Sequence, residues 1–254
     1  MKNFLKALLG CNLASFGHLL RGHPSQFVNG CLSALSAARF PAPTANLPLP
    51  SVTLACILGS KKVDIRLTVA PEEEGILPYD QALALASILV AEKPASVLEI
   101  GTFMGATTRL MAENLPDATI HTVDLPLDYK LDAPPLEGMP KDDFQLIARR
   151  VVGREFRGQP CAARIKQHHV DTAEWDFAAA GSPTFFFIDG SHTYEYCKND
   201  SDKCFALCGG KGVFLWHDCD RNHPGVIRCL MEWRASGRDV RRIEGTPLAY
   251  WKGV

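Results

Sequence analysis

The chain is notable first for what it lacks. It has no excess of either charge: 27 Lys and Arg stand against 28 Asp and Glu, for a net charge of −1. That balance removes the electrostatic footprint of a nucleic-acid binder or of a protein drawn to acidic membranes. It has no Cys-x-x-Cys pair, and its nine cysteines are odd in number. This argues against a disulfide framework and for free, mostly buried thiols in a reducing, cytoplasmic setting. The spacing of Cys197, Cys204 and Cys208 reads as a buried helix stripe rather than a metal cluster. No apolar run is long enough to span a bilayer, because Lys6, Asn12, Ser15 and His18 interrupt residues 1–20. That segment reads as an amphipathic helix lying on the domain or on a partner, which leaves a homo-oligomeric contact open. There is no Gly-Lys-Ser/Thr, which excludes a P-loop, and no Gly-x-Gly-x-x-Gly, which weakens a dinucleotide site.

What is present is sufficient for one α/β domain with an appendage. Hydrophobic residues make up 46% of the 254-residue chain, enough for a full core. Residues 1–50 divide into a helical segment and a linker containing Pro41, Pro43, Pro48 and Pro50, which neither helix nor central strand accommodates. The domain proper covers residues 51–254. Runs at 52–58 and 63–69 around Gly59-Ser60-Lys61-Lys62 predict a hairpin. Strands are then expected at 96–100, 119–123, 164–170, 184–188, 212–216, 240–243 and 248–251. Helices are expected at 79–91, 106–114, 142–152, 194–207 and 224–233. The alternation predicts a doubly wound, mostly parallel, seven-stranded sheet. The short 244–247 connection predicts an antiparallel last strand, since a parallel crossover needs more chain.

Ligands of such sheets sit beyond the carboxyl ends of the strands. Five strand ends carry polar chemistry. Glu99-Ile100-Gly101-Thr102-Phe103-Met104-Gly105 is a strand-to-helix loop whose glycines permit a sharp turn and a close backbone approach. Glu99 suggests a positively charged partner group. Asp124 ends the next strand, where a carboxylate can accept two ribose hydroxyls. Asp171 follows the third strand, near an adenine edge or as a turn cap. Asp189-Gly190-Ser191-His192 and His217-Asp218 end the last two parallel strands. Their carboxylates and imidazoles could bind a divalent cation or act as an acid–base group without one.

These segments resemble a known family. VLEIGTFMGATT, HTVDLP, VGREFRG, HHVDTAEWDF, FFFIDGSHTYEYCKND, GGKGVFLWHDC and IEGTPLAYW occur in the order found in class I S-adenosylmethionine-dependent methyltransferases. The resemblance is to the bacterial cephalosporin hydroxylase-like and sugar O-methyltransferase group, and it covers about two thirds of the chain. It implies a Rossmann-like sheet and S-adenosylmethionine as cofactor. It implies that Glu99, Gly101, Thr102 and Gly105 bind the methionine part, Asp124 the ribose and Asp171 the adenine side. Asp189 and Asp218 match the places where catechol-type relatives hold a metal, which makes Mg²⁺ or another divalent cation a second expected group. Those relatives read Asp-Asn where this chain reads His217-Asp218, a departure that favours direct histidine catalysis. The expected reaction is O-methylation of a small molecule or sugar, with His217 or His192 as base and Asp189 and Asp218 orienting it. The residues 125–140 insert is a candidate acceptor wall. Rival readings are a nicotinamide-dependent oxidoreductase and a non-catalytic partner-binding protein keeping the fold.

Overall fold

A computed structural model of the chain describes residues 47–67, 75–129 and 150–253. Residues 142–149 of the expected helix at 142–152, most of the 125–140 insert and residues 1–46 lie outside the described residues, and residues 150–152 are not helical. Fifteen short elements build the rest. Strand β1 (Ser51–Val52) and helix α1 (Leu54–Leu58) precede α2 (Tyr79–Glu92), β2 (Ser96–Ile100), α3 (Ala106–Asn114) and β3 (Thr119–Asp124). A 3₁₀ turn at Pro160–Arg164 leads into β4 (Ile165–His169), and another at Phe177–Ala180 into β5 (Phe185–Ile188). Helix α4 (Tyr194–Leu207), β6 (Val213–Trp216), α5 (Pro224–Ala235), β7 (Arg241–Ile243) and β8 (Ala249–Lys252) complete the chain.

The sheet has the order β1-β7-β8-β6-β5-β2-β3-β4. Every pairing is parallel except those of β8, which runs antiparallel to both β6 and β7. The doubly wound architecture and the reversed last strand are as the alternation predicts. Eight strands form rather than seven, because β1 adds to the edge beside β7. The predicted hairpin is a correction. Residues 54–58 are helical, with the Thr53 hydroxyl accepting the Cys56 N–H at 3.1 Å as an N-cap. Residues 61–67 form no regular structure. The reason is the spacing of Leu54 and Ile57, three apart, which puts both against the core as a helix turn does and a strand does not.

The Phe185-Phe186-Phe187-Ile188 run of β5 is buried throughout because helices cover both sheet faces. Alternation sends Phe185 and Phe187 into one core layer, with Leu85, Ile88, Leu89 and Met111 of α2 and α3. Phe186 and Ile188 go to the other layer, with Cys197, Cys204, Leu230 and Trp233 of α4 and α5. The cysteine stripe is therefore core, with Cys197 and Cys204 both buried thiols. In sequence, β2 leads to β3 and β4 on one side, and the chain then returns to lay β5 on the other side of β2. This reversal opens a crevice between the ends of β2 and β5.

Candidate active site

A cavity of about 500 Å³ occupies that crevice. Register places its walls. Ile100 pairs with Ile188 and Ile188 with Trp216, so the loops leaving β2, β5 and β6 begin side by side. The Asp189 N–H donates to Ile100 O at 2.8 Å, and the His217 N–H to Ile188 O at 3.0 Å.

The Gly101–Gly105 loop forms one wall. Gly101 has φ +100°, and a Cβ there would stand 2.0 Å from the Asp189 carbonyl oxygen, so only glycine lets the loop lie against β5. Phe103, with φ +48°, donates its N–H to Asp124 Oδ2 at 2.7 Å. Gly105 begins α3 at φ +85°, where a Cβ would meet the Phe156 ring at 2.6 Å. Gly101, Thr102, Gly105 and Asp124 all line the cavity. Asp124 also pairs with Arg150, Oδ1 to Nε at 3.0 Å. Burial raises its pKa, with Arg150 and the Phe103 N–H working the other way.

Glu99 lies behind this wall rather than on it. It is fully buried; its Oε2 accepts the Thr122 hydroxyl at 2.6 Å and the Thr108 hydroxyl as well. Oε1 has no hydrogen-bond partner, and burial pushes the pKa up to about 8. Asp171 is likewise off the wall. Its Oδ2 accepts hydroxyls from Tyr129 at 2.5 Å and Tyr196 at 2.9 Å, and its Oδ1 accepts the Ala173 N–H at 2.8 Å. Val170, Thr172, Tyr196 and Asp200 face the cavity in its place.

At the other end, the β5 and β6 loops bring all four predicted catalytic residues together. His217 Nδ1 stands 3.0 Å from Asp189 Oδ1 and 2.9 Å from Asp218 Oδ2. It makes no directed hydrogen bond to either oxygen, since it divides its approach between them. His217 Nε2 faces Gln81 Oε1 at 2.7 Å. Burial works against a charged His217, but the Asp189 and Asp218 carboxylates outweigh it and raise its pKa well above the usual value. His192 Nε2 is 2.7 Å from Asp218 Oδ2. Burial would raise the Asp218 pKa, yet His192 and His217 hold it far below the usual carboxylate range. Asp218 takes the left-handed conformation, φ +56°, a cost for a non-glycine residue of the kind found at functional sites.

Several members of the site escape a strand-end reading. Gln81 comes from α2, 136 residues from its partner His217. His223 precedes α5, with Nδ1 3.0 Å from Asp220 Oδ1 and 3.4 Å from Asp218 Oδ1. Arg150 and Asp200 also line the cavity. A signal existed for Gln81 and Asp200, as each is a polar residue on the buried face of an amphipathic helix.

Residues 98–219 match the family model described as a methyltransferase domain. No curated protein matches the chain in sequence. Among solved structures, the chain is similar to cofactor-bound Rv0187 from MTB, at 16% identity over 71% of this chain and 83% of that one, with a TM-score of 0.53. It is similar to a candidate O-methyltransferase from Klebsiella pneumoniae, at 14% identity, 72% and 84% coverage and a TM-score of 0.51. A precorrin-6y C5,15-methyltransferase from Geobacter metallireducens shares 13% identity, with 72% and 92% coverage and a TM-score of 0.50. Among the described residues no helix is long and apolar enough to cross a membrane.

Proposed function

We propose that the chain is a class I S-adenosylmethionine-dependent methyltransferase that methylates a hydroxyl of a small molecule or sugar through the Asp189–His192–His217–Asp218 cluster. The observation that carries this reading is that one cavity holds both the glycine loop with Asp124 and the histidine–aspartate cluster. A glycine cradle and a strand-end carboxylate suit a nucleoside-bearing cofactor. Gly101, Thr102, Gly105 and Asp124 would hold S-adenosylmethionine, with Glu99 supporting the loop from behind. Bound there, the cofactor supplies a methyl group already activated by its sulfonium.

The chain's own residues must then align the hydroxyl and accept its proton. A neutral His192 that donates Nε2–H to Asp218 carries its basic lone pair on the other ring nitrogen. As the hydroxyl is methylated, its proton would pass to His192. Asp218 stabilises the resulting imidazolium. His217 is a poor base, because two carboxylates favour its protonated form. Its part is positive charge beside the hydroxyl, held in orientation by Gln81.

The same donors fit a divalent cation. The ligand atoms of Asp189, His217 and Asp218 lie within 4.8 Å of one another, and His217 Nδ1 lacks a directed hydrogen bond. A cation held there would acidify the acceptor hydroxyl. The deciding experiment is a methyl-transfer screen over sugars, catechols and amines, with and without a chelator, beside calorimetry of S-adenosylhomocysteine. We expect methylated hydroxyls. Failure of the cofactor to bind at millimolar concentration, or transfer to amines alone, would overturn the assignment. Activity that survives chelation assigns proton removal to His192 without metal.

A further inference from the structure

We propose that His192, Asp218 and His223 form a binding site for a borderline divalent ion such as Zn²⁺, separate from the Asp189–His217–Asp218 set, and that an ion held there silences His192 as a base. Only the loss of the base rests on the methyl-transfer reading; the ion site stands apart from it. The ligand atoms of the three residues lie within 4.8 Å of one another, and all three residues line the cavity. His192 Nε2 is 2.7 Å from Asp218 Oδ2, and His223 Nδ1 is 3.4 Å from Asp218 Oδ1, so the two rings meet the carboxylate at different oxygens. Neighbouring ligands of a tetrahedral ion with bonds of about 2.0–2.1 Å stand about 3.3 Å apart, and the two separations fall on either side of that spacing.

The backbone brings the two rings together. Gly225, in the first turn of α5, packs against the loop that follows β5. A Cβ there would stand 2.5 Å from the Tyr194 nitrogen and 2.6 Å from the His192 carbonyl oxygen. Only glycine lets α5 begin this close. The close start sets the His223 ring, which immediately precedes the helix, 4.4 Å from the His192 ring, centroid to centroid. Asp218 reaches both rings from its left-handed backbone, φ +56°.

The donor set selects the ion. Two imidazole nitrogens and a carboxylate suit Zn²⁺ or Co²⁺, whereas Mg²⁺ prefers an octahedron of oxygens. The Asp189–His217–Asp218 set, with two carboxylates and one imidazole, is the harder of the two. Asp220 Oδ1, 3.0 Å from His223 Nδ1, places a further carboxylate beside the dication. The effect on catalysis follows from the ring itself. A neutral imidazole has one basic lone pair. An ion on Nε2 of His192 takes that pair and leaves the proton on Nδ1, so the ring cannot accept the hydroxyl proton.

The test is a Co²⁺ titration of the full chain followed by visible absorption, with Zn²⁺ and Mg²⁺ as competitors. Co²⁺ should give the intense bands of a four-coordinate ion, Zn²⁺ should abolish them, and about 100-fold more Mg²⁺ should not. His223→Ala and Gly225→Ala should each weaken Co²⁺ about 10-fold or more, the first by removing a ligand and the second by parting the rings. Asp189→Asn should change it less than about 3-fold. A wild type without the bands overturns the proposal, whether or not the variants fold by circular dichroism. So does binding that survives His223→Ala but is lost in Asp189→Asn, which puts the ion in the other set. With an acceptor from the screen, saturating Zn²⁺ should lower transfer about 10-fold or more, and by less than about 3-fold in His223→Ala relative to its own metal-free rate. A rate unchanged or raised by Zn²⁺ overturns the silencing of His192. The expected bands in a chain that binds no S-adenosylhomocysteine uphold the ion site and remove the methyltransferase reading.

Discussion

Replacing Gly101 by alanine strikes the contact on which the whole crevice depends. The added methyl would stand 2.0 Å from the Asp189 carbonyl oxygen and 2.7 Å from its carbonyl carbon. Ordinary carbon contacts lie at about 3.5–4.0 Å, so the loop or the end of β5 must shift by roughly 1 Å or more. Two costs combine. An alanine at φ +100° carries backbone strain on the order of 1–3 kcal/mol, and overpacking adds about 1–3 kcal/mol. Their sum, about 2–6 kcal/mol, is a large fraction of the about 5–15 kcal/mol typical of a domain. Gly237→Ala is the control: its φ is +95°, yet nothing lies within 4 Å of the new Cβ. It should show the strain without the clash. Urea unfolding followed by circular dichroism measures both variants, and calorimetry with S-adenosylhomocysteine measures the site. We expect Gly101→Ala to lose about 1–3 kcal/mol more than Gly237→Ala, and to bind the cofactor product about 10-fold or more weakly. If the two variants lose the same stability and Gly101→Ala keeps its affinity, the loop is not wedged against β5 and the account of the crevice is wrong.

His192→Ala should lower kcat about 10²–10⁴-fold, the usual worth of a general base, with cofactor affinity nearly unchanged; a kcat within threefold of wild type in a steady-state assay removes it from the base role. Glu99 binds its proton more tightly in the folded chain, with a pKa near 8 against the usual 4.5. Its contribution is therefore unfavourable once the unfolded chain ionises, and stability falls as pH rises from about 4.5 to 8, then levels off. Glu99→Gln should flatten that fall, whose slope is at most about 1.4 kcal/mol for each step of one in pH, in thermal melts taken across this range; parallel curves for the two proteins would contradict it. Arg150→Met leaves the Asp124 carboxylate buried without its ion-pair partner. A loss of about 3 kcal/mol is expected by urea denaturation, and a loss under about 1 kcal/mol would show the pair to be unimportant.

Much of the architecture is written in local pattern. The alternation of short apolar runs with helical spacings carries the doubly wound sheet, and the five-residue link before β8 carries its reversal, because chain length alone forbids a parallel return. Residues 54–58 read locally as strand, since a single capped turn is too short for periodicity to separate from a strand and only packing of Leu54 and Ile57 distinguishes them. In the site, strand ends point to Gly101, Asp124, Asp189, His192, His217 and Asp218 because every parallel strand of a sheet delivers its carboxyl end to the same edge.

What lies around those ends belongs to tertiary structure alone. No spacing connects Gln81 to His217, or shows that Asp171 spends its oxygens on two tyrosines while Asp200 reaches the cavity instead. Nor does the motif tell that Glu99 sits behind the loop with an unpartnered oxygen. Local periodicity and chain connectivity suffice for most of the strands, the edge at which they end and the residue types gathered there. Which carboxylates face the cavity, and which are consumed within the wall, depends on burial and on helices packed from distant parts of the chain. Those are properties of the folded arrangement, and no local pattern encodes them.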